Sequence, residues 1–246
     1  WPLLETMRDR AIAFVPASGR QCTTLSTMFG SHLEGMPIIA ENGTYVVRDG
    51  IDISSSTIDP NLTREVITGV RQLRNDGHDV GLVVATKSIA YLERGDDPFV
   101  SHVATYYHSH RIVKDLSEHT DDVIKLSIYD FREASEATYP TMQRTAPEHQ
   151  VILATPNWVD IMNPGVNKGS AVEAVQRDLG VTVDQTAIFG DFLNDLEMMP
   201  MAKWSFAMAN GHPNIVKASN YVAPPNTENG VITVLAALLG TRVPIT

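Results

Sequence analysis

The most informative stretch of this chain is Gly190-Asp191-Phe192-Leu193-Asn194-Asp195, which joins two segments of different periodicity. The apolar run before it, Ala187-Ile188-Phe189, predicts a buried strand, and the leucine and methionines of residues 196–199 predict a helix after it. A strand that ends in glycine and acids places carboxylates at the carboxyl edge of an α/β sheet, where such folds bind ligands. Neighbouring carboxylates need a cation, a proton or a basic partner, and Mg²⁺ suits them because it takes oxygen ligands and bridges to phosphate. By itself the segment is also typical of a helix N-terminus, where Asp and Asn act as caps.

Composition limits the classes of protein to which the chain can belong. Its 246 residues and 27.0 kDa suffice for one large or two ordinary domains. The net charge of −10 argues against a nucleic-acid-binding protein, which needs a basic surface. No apolar run approaches the roughly 20 residues that span a bilayer, so we expect no membrane association. The single cysteine, Cys22, cannot form an internal disulfide, which favours a reducing, cytoplasmic location.

The order of predicted elements indicates an α/β fold with an insertion. Strands, polar loops and helices alternate at both ends of the chain, as is typical of a Rossmann-like, doubly wound parallel sheet. The middle of the chain instead begins with a hairpin signal, Arg48-Asp49-Gly50, and predicts an α+β domain. We therefore predict a core of residues 1–46 and 158–246 and an inserted domain of residues 47–157. The predicted core strands are Ala11–Val15, Pro37–Ala40, Ala187–Phe189, Trp204–Met208 and Tyr221–Ala223.

Four polar loops are predicted at one edge of the core sheet. They are Ala17-Ser18-Gly19-Arg20, Glu41-Asn42-Gly43, Asn167-Lys168-Gly169 and Gly190–Asp195. Ser-Gly offers a hydroxyl and backbone N–H groups, which suit a phosphoryl oxygen. A lysine offers a compact positive charge for developing negative charge, and the acids offer a metal site. Together they predict a phosphoryl-transfer site, in which positioning and charge neutralisation supply most of the catalysis.

Each of these residues also has an ordinary structural interpretation. Ser18 is typical of a helix cap, and Asn42 of a turn. Lys168 alone would be interpreted as a solvated loop lysine. Arg20 is equally compatible with an ion pair to a structural carboxylate. The functional interpretation is favoured because the four loops occur together.

The series of motifs resembles the haloacid dehalogenase-like phosphatases, specifically the Cof-type group with a large α+β cap. The resemblance covers nearly the whole chain, and the inserted block lies where this group carries its cap. The matching pieces are Ala-Ser-Gly-Arg, Glu-Asn-Gly, Asp160-Ile161 with Gly165–Gly169, Gly-Asp-x-x-Asn-Asp, and the tail of Met208–Gly211, Val216-Lys217, Tyr221-Val222 and Asn229–Val231.

This resemblance implies roles for individual residues. Ser18, with the N–H of Gly19, would hold the phosphoryl group, and Lys168 would stabilise the nucleophile and the transition state. Asp191 would bind Mg²⁺, and Asn194 and Asp195 would bind phosphate and support the lysine or the metal. Asn42 and Arg20 would border the substrate. The implied catalytic residues are Lys168, Ser18 and Asp191, and the implied metal ligands are Asp191 and Asp195.

One family motif is not found in the 246 residues. In the family, the nucleophile and the general acid/base are two aspartates of an Asp-x-Asp-Gly-Thr motif at the end of the first strand. Asp49 and Asp52 lie in a polar hairpin, and the pair Asp96-Asp97 has no strand before it. We expect the missing strand to precede Leu3–Arg10 in the intact protein. A chain without it could not hydrolyse phosphate by the family's mechanism.

The sequence thus predicts a Mg²⁺-dependent phosphatase of small phosphorylated metabolites that acts through an aspartyl-phosphate. One alternative is a phosphotransferase, such as a sugar phosphomutase, on the same core. Another is a protein that keeps the fold as a non-catalytic ligand-binding module. Self-association into a homo-oligomer is compatible with the sequence but is not predicted by any feature of it.

Overall fold

The computed structural model describes residues 1–241, which form eight α-helices and twelve strands. Among these residues, no helix combines the length and the apolar character that crossing a bilayer requires. The helices are α1 Pro2–Asp9, α2 Cys22–Phe29, α3 Pro60–Asn75, α4 Asp97–Ala104, α5 Thr138–Thr145, α6 Lys168–Leu179, α7 Pro213–Ala218 and α8 Gly230–Leu239. The strands are β1 Pro37–Ala40, β2 Tyr45–Arg48, β3 Ile51–Ser55, β4 Val80–Thr86, β5 Ala90–Leu92, β6 His110–Ile112, β7 Val123–Asp130, β8 Gln150–Thr155, β9 Trp158–Met162, β10 Ala187–Gly190, β11 Trp204–Met208 and β12 Tyr221–Ala223.

The last third of the chain forms the parallel sheet that the sequence predicts. Its strand order is β10-β11-β12, and both pairings are parallel. Ile188 of β10 and Ala207 of β11 pack in one buried cluster with Val172 and Val175 of α6. Because crossover helices cover such sheets, their strands are mostly apolar. The predicted α/β class with a Rossmann-like core and an inserted domain is therefore confirmed.

The predicted hairpin is also present, but it belongs with β1. Strands β2 and β3 pair antiparallel across Asp49 and Gly50, whose φ angles of 51° and 78° suit a two-residue turn. β1 pairs antiparallel with β2, which makes a three-stranded sheet. The predicted start of the insertion at Val47 therefore cuts through a strand of this sheet. We propose that the inserted domain begins after β3.

A six-stranded sheet forms the inserted domain, in the order β6-β5-β4-β7-β9-β8. Alternate residues of β4 face opposite sides: Leu82 packs with the cluster under α3 and α5, and Val83 with the cluster under α4. β9 pairs antiparallel with both β7 and β8. Trp158–Met162 was expected in the core, and its pairing assigns it to this sheet instead. We propose that the inserted domain ends after Met162, because a strand that pairs on both sides is part of its sheet.

Two predicted elements differ in the structure. Ala11–Val15 was expected to be a strand, but only Ala17, just beyond it, forms a bridge, parallel to Ile39. An apolar run becomes a strand only where a neighbouring strand pairs with its backbone groups. The helix expected over residues 196–199 is part of a 3-10 segment, Leu193–Met201, which contains Pro200. Proline lacks the N–H that an α-helix requires and favours such irregular turns.

The close contact between α6 and the 3-10 segment gives a stability prediction. A Cβ on Gly169 would lie 2.3 Å from the carbonyl oxygen of Glu197, a backbone atom that cannot move alone. We expect Gly169→Ala to lower the free energy of unfolding by about 1–3 kcal/mol, measured by urea denaturation. Gly69→Ala is the matched control, because its Cβ would meet Met142 at 3.4 Å inside α3, where alanine favours the helix. Equal stability of the two variants would contradict this packing.

Candidate active site

The predicted polar loops converge at one edge of the core. The backbone N–H of Asn42 donates to the carbonyl oxygen of Ser18 at 3.0 Å, which joins the first two loops. The side-chain Nδ2 of Asn194 donates to Oδ1 of Asn42 at 3.1 Å, which joins the second loop to the fourth. Lys168 Nζ donates to Oδ1 of Asp195 at 2.5 Å, which joins the third loop to the fourth. Residues that are far apart in the sequence thus form one polar cluster.

Lys168 is placed by the start of α6. Asn167 caps this helix: its side chain accepts from the backbone N–H of Ser170 at 2.9 Å, and the Ser170 hydroxyl accepts from the N–H of Asn167 at 3.2 Å. Lys168 follows this cap and is 5% exposed. A buried ammonium needs a charged partner, and Asp195, also 5% exposed, supplies one. The site therefore holds a fixed positive charge that little water can screen.

The two acids of the fourth loop differ in their partners. Both carboxylate oxygens of Asp195 are engaged, Oδ1 by Lys168 and Oδ2 by the backbone N–H of Asp191 at 3.0 Å. Asp191 is half-buried, and its Oδ2 accepts from Asn226 Nδ2 at 3.2 Å. Asp195 therefore serves as the partner of the lysine here. The carboxylate of Asp191 keeps an oxygen without a hydrogen bond to another described residue.

The site can offer one carboxylate ligand to Mg²⁺, the ion that the resemblance implies. Within residues 1–241 no three side chains of His, Cys, Asp or Glu are grouped so that they could hold a metal ion. Mg²⁺ in phosphoryl-transfer sites is commonly held by one or two carboxylates, with water and substrate phosphate completing its shell. Asp191 can supply one such ligand. The hydrogen bonds of Asp195 do not favour the metal role predicted for it.

Ser18 and Gly19 form a loop that suits an anion. The Ser18 hydroxyl oxygen accepts from the backbone N–H of Arg20 at 3.2 Å, which leaves its hydrogen free to be donated. Gly19 N–H donates to no other group in the described part of the chain. Ser18 is not the cap of α2, which begins at Cys22 with Gln21 as its N-cap. The structural alternative for Ser18 as a helix cap is therefore wrong.

Arg20 lies at the border between the core and the inserted domain. Its guanidinium carbon lies 5.6 Å from the centre of the Tyr106 ring, within reach of a cation–π interaction. It makes no ion pair with an acidic side chain of residues 1–241, so the structural carboxylate suggested as its partner is not found. Its predicted place beside the substrate remains a prediction.

Asn42 is held by an unusual backbone. Glu41, Asn42 and Gly43 have φ angles of 52°, 58° and 99°, a left-handed run that only glycine and asparagine adopt readily. A Cβ on Gly43 would lie 2.4 Å from the carbonyl oxygen of Asn167, so this loop packs directly against the start of α6. Asn42 Nδ2 donates to Asp160 Oδ2 at 3.1 Å. Its amide thus links the core cluster to the inserted domain.

Three charged residues of the site had no predicted role, although Glu41 lies in the second predicted loop and Asp160 in one of the matching motifs. Lys125 Nζ, on β7, lies 2.5 Å from Oε2 of Glu41 and 3.9 Å from Oδ2 of Asp160. Burial raises the pKa of Glu41, although Lys125 opposes the shift. Burial also works to lower the pKa of Lys125, but attraction to Asp160 and Glu41 outweighs it, so its pKa is raised. The sequence signal was a lysine inside the run Val123–Ile128, whose other residues are apolar except for Ser127.

Comparison with known proteins gives the family of the chain. The sequence model of the haloacid dehalogenase-like hydrolases matches residues 3–235. The chain belongs to this family. The resemblance inferred from the motifs is therefore confirmed, and with it the prediction of a hydrolase.

Individual members of the haloacid dehalogenase-like hydrolases align over most of the chain. A 5-amino-6-(5-phospho-D-ribitylamino)uracil phosphatase of Escherichia coli is 28% identical over 98% of this chain and 88% of its own. A haloacid dehalogenase-like hydrolase from Bacteroides thetaiotaomicron has the same fold, with a TM-score of 0.85, 20% identity, and coverage of 96% of this chain and 90% of its own. A sugar phosphatase of subclass IIB superposes with a TM-score of 0.77 at 19% identity, over 96% of this chain and 89% of its own.

Proposed function

We propose that the protein is a Mg²⁺-dependent phosphatase of small phosphorylated metabolites. The observation that carries the proposal is the buried Lys168–Asp195 pair beside the Asn42–Asn194 contact and the Ser18-Gly19 loop. This cluster brings together a fixed positive charge, hydrogen-bond donors and a carboxylate, which can only accept hydrogen bonds. Membership of a hydrolase family that includes named phosphatases supports the same conclusion.

The side chains of this site suit the binding of a phosphoryl group. Ser18 Oγ–H and Gly19 N–H are free to donate to two of its oxygens, and Lys168 balances the charge that develops during transfer. Asp195 holds the lysine in one orientation. When bound at Asp191, Mg²⁺ would neutralise the charge of the phosphoryl oxygens.

The nucleophile in this proposal is an aspartate of the family's Asp-x-Asp motif, which these 246 residues do not contain. Attack by its carboxylate on phosphorus would release the alcohol and form an aspartyl-phosphate, and water would then cleave this acyl phosphate. A phosphoprotein that is trapped by rapid quenching and is lost in hydroxylamine would support this step. Full turnover without such a species would contradict it.

The choice of substrate is proposed from the relatives. One relative is named for a phosphorylated ribitylaminouracil, and one structural neighbour is a sugar phosphatase. We therefore expect the full-length protein to prefer phosphomonoesters of polyhydroxylated small molecules over nucleic acids or phosphoproteins. The negative net charge supports this exclusion of nucleic acid.

Metal dependence tests the proposal directly. We expect the full-length protein to release inorganic phosphate from sugar and ribitylaminouracil phosphates in the presence of Mg²⁺. Chelation by EDTA should lower the rate at least about 100-fold, and added Mg²⁺ should restore it. Release that is unaffected by EDTA would contradict the metal role. Transfer to a sugar acceptor in preference to water would favour the phosphomutase alternative, and binding without turnover the non-catalytic one.

A further inference from the structure

The charged residues at the border between the two domains are buried, and burying charge is unfavourable for the free energy of folding. Glu41 is 1% exposed, Lys125 2% and Asp160 5%, so one ammonium and two carboxylates are removed from water. Buried ion pairs of this kind are often no more stable than apolar side chains of the same size. The left-handed backbone of Glu41 adds strain, and its Oε1 has no hydrogen-bond partner within the described residues. Stability alone therefore gives a poor account of this cluster.

Residues of this buried charged cluster contact the phosphate-binding loops. Lys125 Nζ donates to the carbonyl oxygen of Gly19 at 3.0 Å, the residue whose own N–H is free for an anion. Lys125 thus crosses from the inserted domain to the first loop of the core. A shift of this lysine would move the peptide that follows Gly19.

A second chain of hydrogen bonds runs from Asp160. Its Oδ1 accepts from the Ser127 hydroxyl at 2.6 Å, and its Oδ2 accepts from Asn42 Nδ2 at 3.1 Å. Because Asp160 takes the amide nitrogen of Asn42, the amide oxygen is turned toward Asn194, which donates to it. Asn194 is therefore oriented by a carboxylate that belongs to the inserted domain.

We propose that Lys125 and Asp160 of the inserted domain are positioning residues for the phosphate site. Lys125 sets the Ser18-Gly19 loop through the Gly19 carbonyl and Glu41, and Asp160 sets the amide of Asn194 through Asn42. The phosphate site reaches its full geometry only when the inserted domain is docked on the core. This inference rests on the proposed phosphatase function.

A second ion pair between the two domains provides a control. Lys87 Nζ lies 2.5 Å from Asp52 Oδ2, with the two side chains 33% and 42% exposed. Lys87 follows β4 in the inserted domain, and Asp52 lies on β3 of the core. This pair bridges the same two domains, but neither residue bonds to a loop of the phosphate site. Its removal tests domain docking without disturbing those loops.

The experiment compares two double variants of the full-length protein. Lys125→Met/Glu41→Gln removes the ammonium and the nearer of its two carboxylates, and Asp160 keeps its hydrogen bonds from Ser127 and Asn42. Lys87→Met/Asp52→Asn removes the exposed pair. We expect the first variant to keep its melting temperature within a few degrees but to lose about 10- to 100-fold in kcat/KM, because small displacements of binding groups are costly. The inhibition constant of inorganic phosphate should rise at least about tenfold. The control should change each value less than about threefold.

The position of Asp160 gives an internal check. Asp160→Asn keeps an acceptor oxygen for Asn42 and should retain most activity, whereas Asp160→Leu removes the acceptor and should raise the inhibition constant of phosphate. Unchanged phosphate inhibition in both Lys125→Met/Glu41→Gln and Asp160→Leu, with an active wild-type enzyme, would overturn this inference alone. A wild-type protein that neither hydrolyses phosphomonoesters nor binds phosphate would overturn the proposed function and this inference with it.

Discussion

Replacement of Lys168 in the full-length protein is expected to lower kcat by about 10³-fold, with a smaller effect on KM. The lysine is buried against Asp195, so its charge acts on the phosphoryl group through a medium that screens weakly. Loss of one fixed donor to a developing negative charge typically costs about 10²–10³-fold, and here a full charge is lost. Steady-state kinetics with a sugar phosphate at saturating Mg²⁺ would measure the effect.

Stability has to be separated from catalysis in this experiment. Lys168→Ala would leave Asp195 buried and unpaired, which costs about 3–5 kcal/mol. The double variant Lys168→Met/Asp195→Asn removes both charges and keeps an acceptor for the N–H of Asp191. Its exposed counterpart, Lys203→Met/Asp184→Asn, removes an ion pair of 3.1 Å whose residues precede the parallel strands β10 and β11, whereas Asp191 follows β10. A folded Lys168→Met/Asp195→Asn protein with a rate near that of the wild type would refute the assigned role.

Motifs predict this fold well where local chemistry and tertiary structure agree. The Asp49-Gly50 hairpin and the strands around Gly190 follow from turn chemistry and apolar runs, and both are found. The position of Trp158–Met162 could not be predicted in this way. The same apolar sequence is compatible with a strand in the core sheet and with a strand in the sheet of the inserted domain, where it pairs with β7. The prediction of a strand at Ala11–Val15 was wrong for a related reason, since a strand requires a neighbouring strand to pair with and not propensity alone. Local patterns therefore define elements better than they define partners.

In the candidate site, too, local sequence signals predicted some residues, and only tertiary contacts revealed the others. The predicted site residues lie in loops that carry recognisable turn and cap signals, and the structure brings these loops together. Lys125 and Asp160 come from the interiors of strands, where a charged residue has no local signal for a partner elsewhere in the chain. Their link to Glu41 and Asn42 depends on how the inserted domain docks. Only three-dimensional contacts reveal that the cluster is shared between the domains.

Asp191→Asn in the full-length protein is expected to abolish activation by Mg²⁺. Asn has nearly the same shape and can still accept from Asn226, so the loop should keep its conformation. A neutral amide is a much weaker ligand for a hard cation than a carboxylate. We expect the rate at saturating Mg²⁺ to fall by at least about 100-fold, and the stabilisation of the folded protein by Mg²⁺ in thermal unfolding to disappear.

Comparison with other acids locates the metal. Asp184→Asn makes the same change of charge at an exposed position and should leave the Mg²⁺ dependence unaltered. Asp195→Asn should impair catalysis through Lys168, because Asp195 orients the lysine, but should keep the thermal stabilisation by Mg²⁺. If Asp195→Asn removed that stabilisation and Asp191→Asn did not, the ligand roles of the two acids would be reversed. The carboxylate whose loss removes both thermal stabilisation and activation by Mg²⁺ is then the ligand, since a residue that acts only on the lysine would change the rate alone.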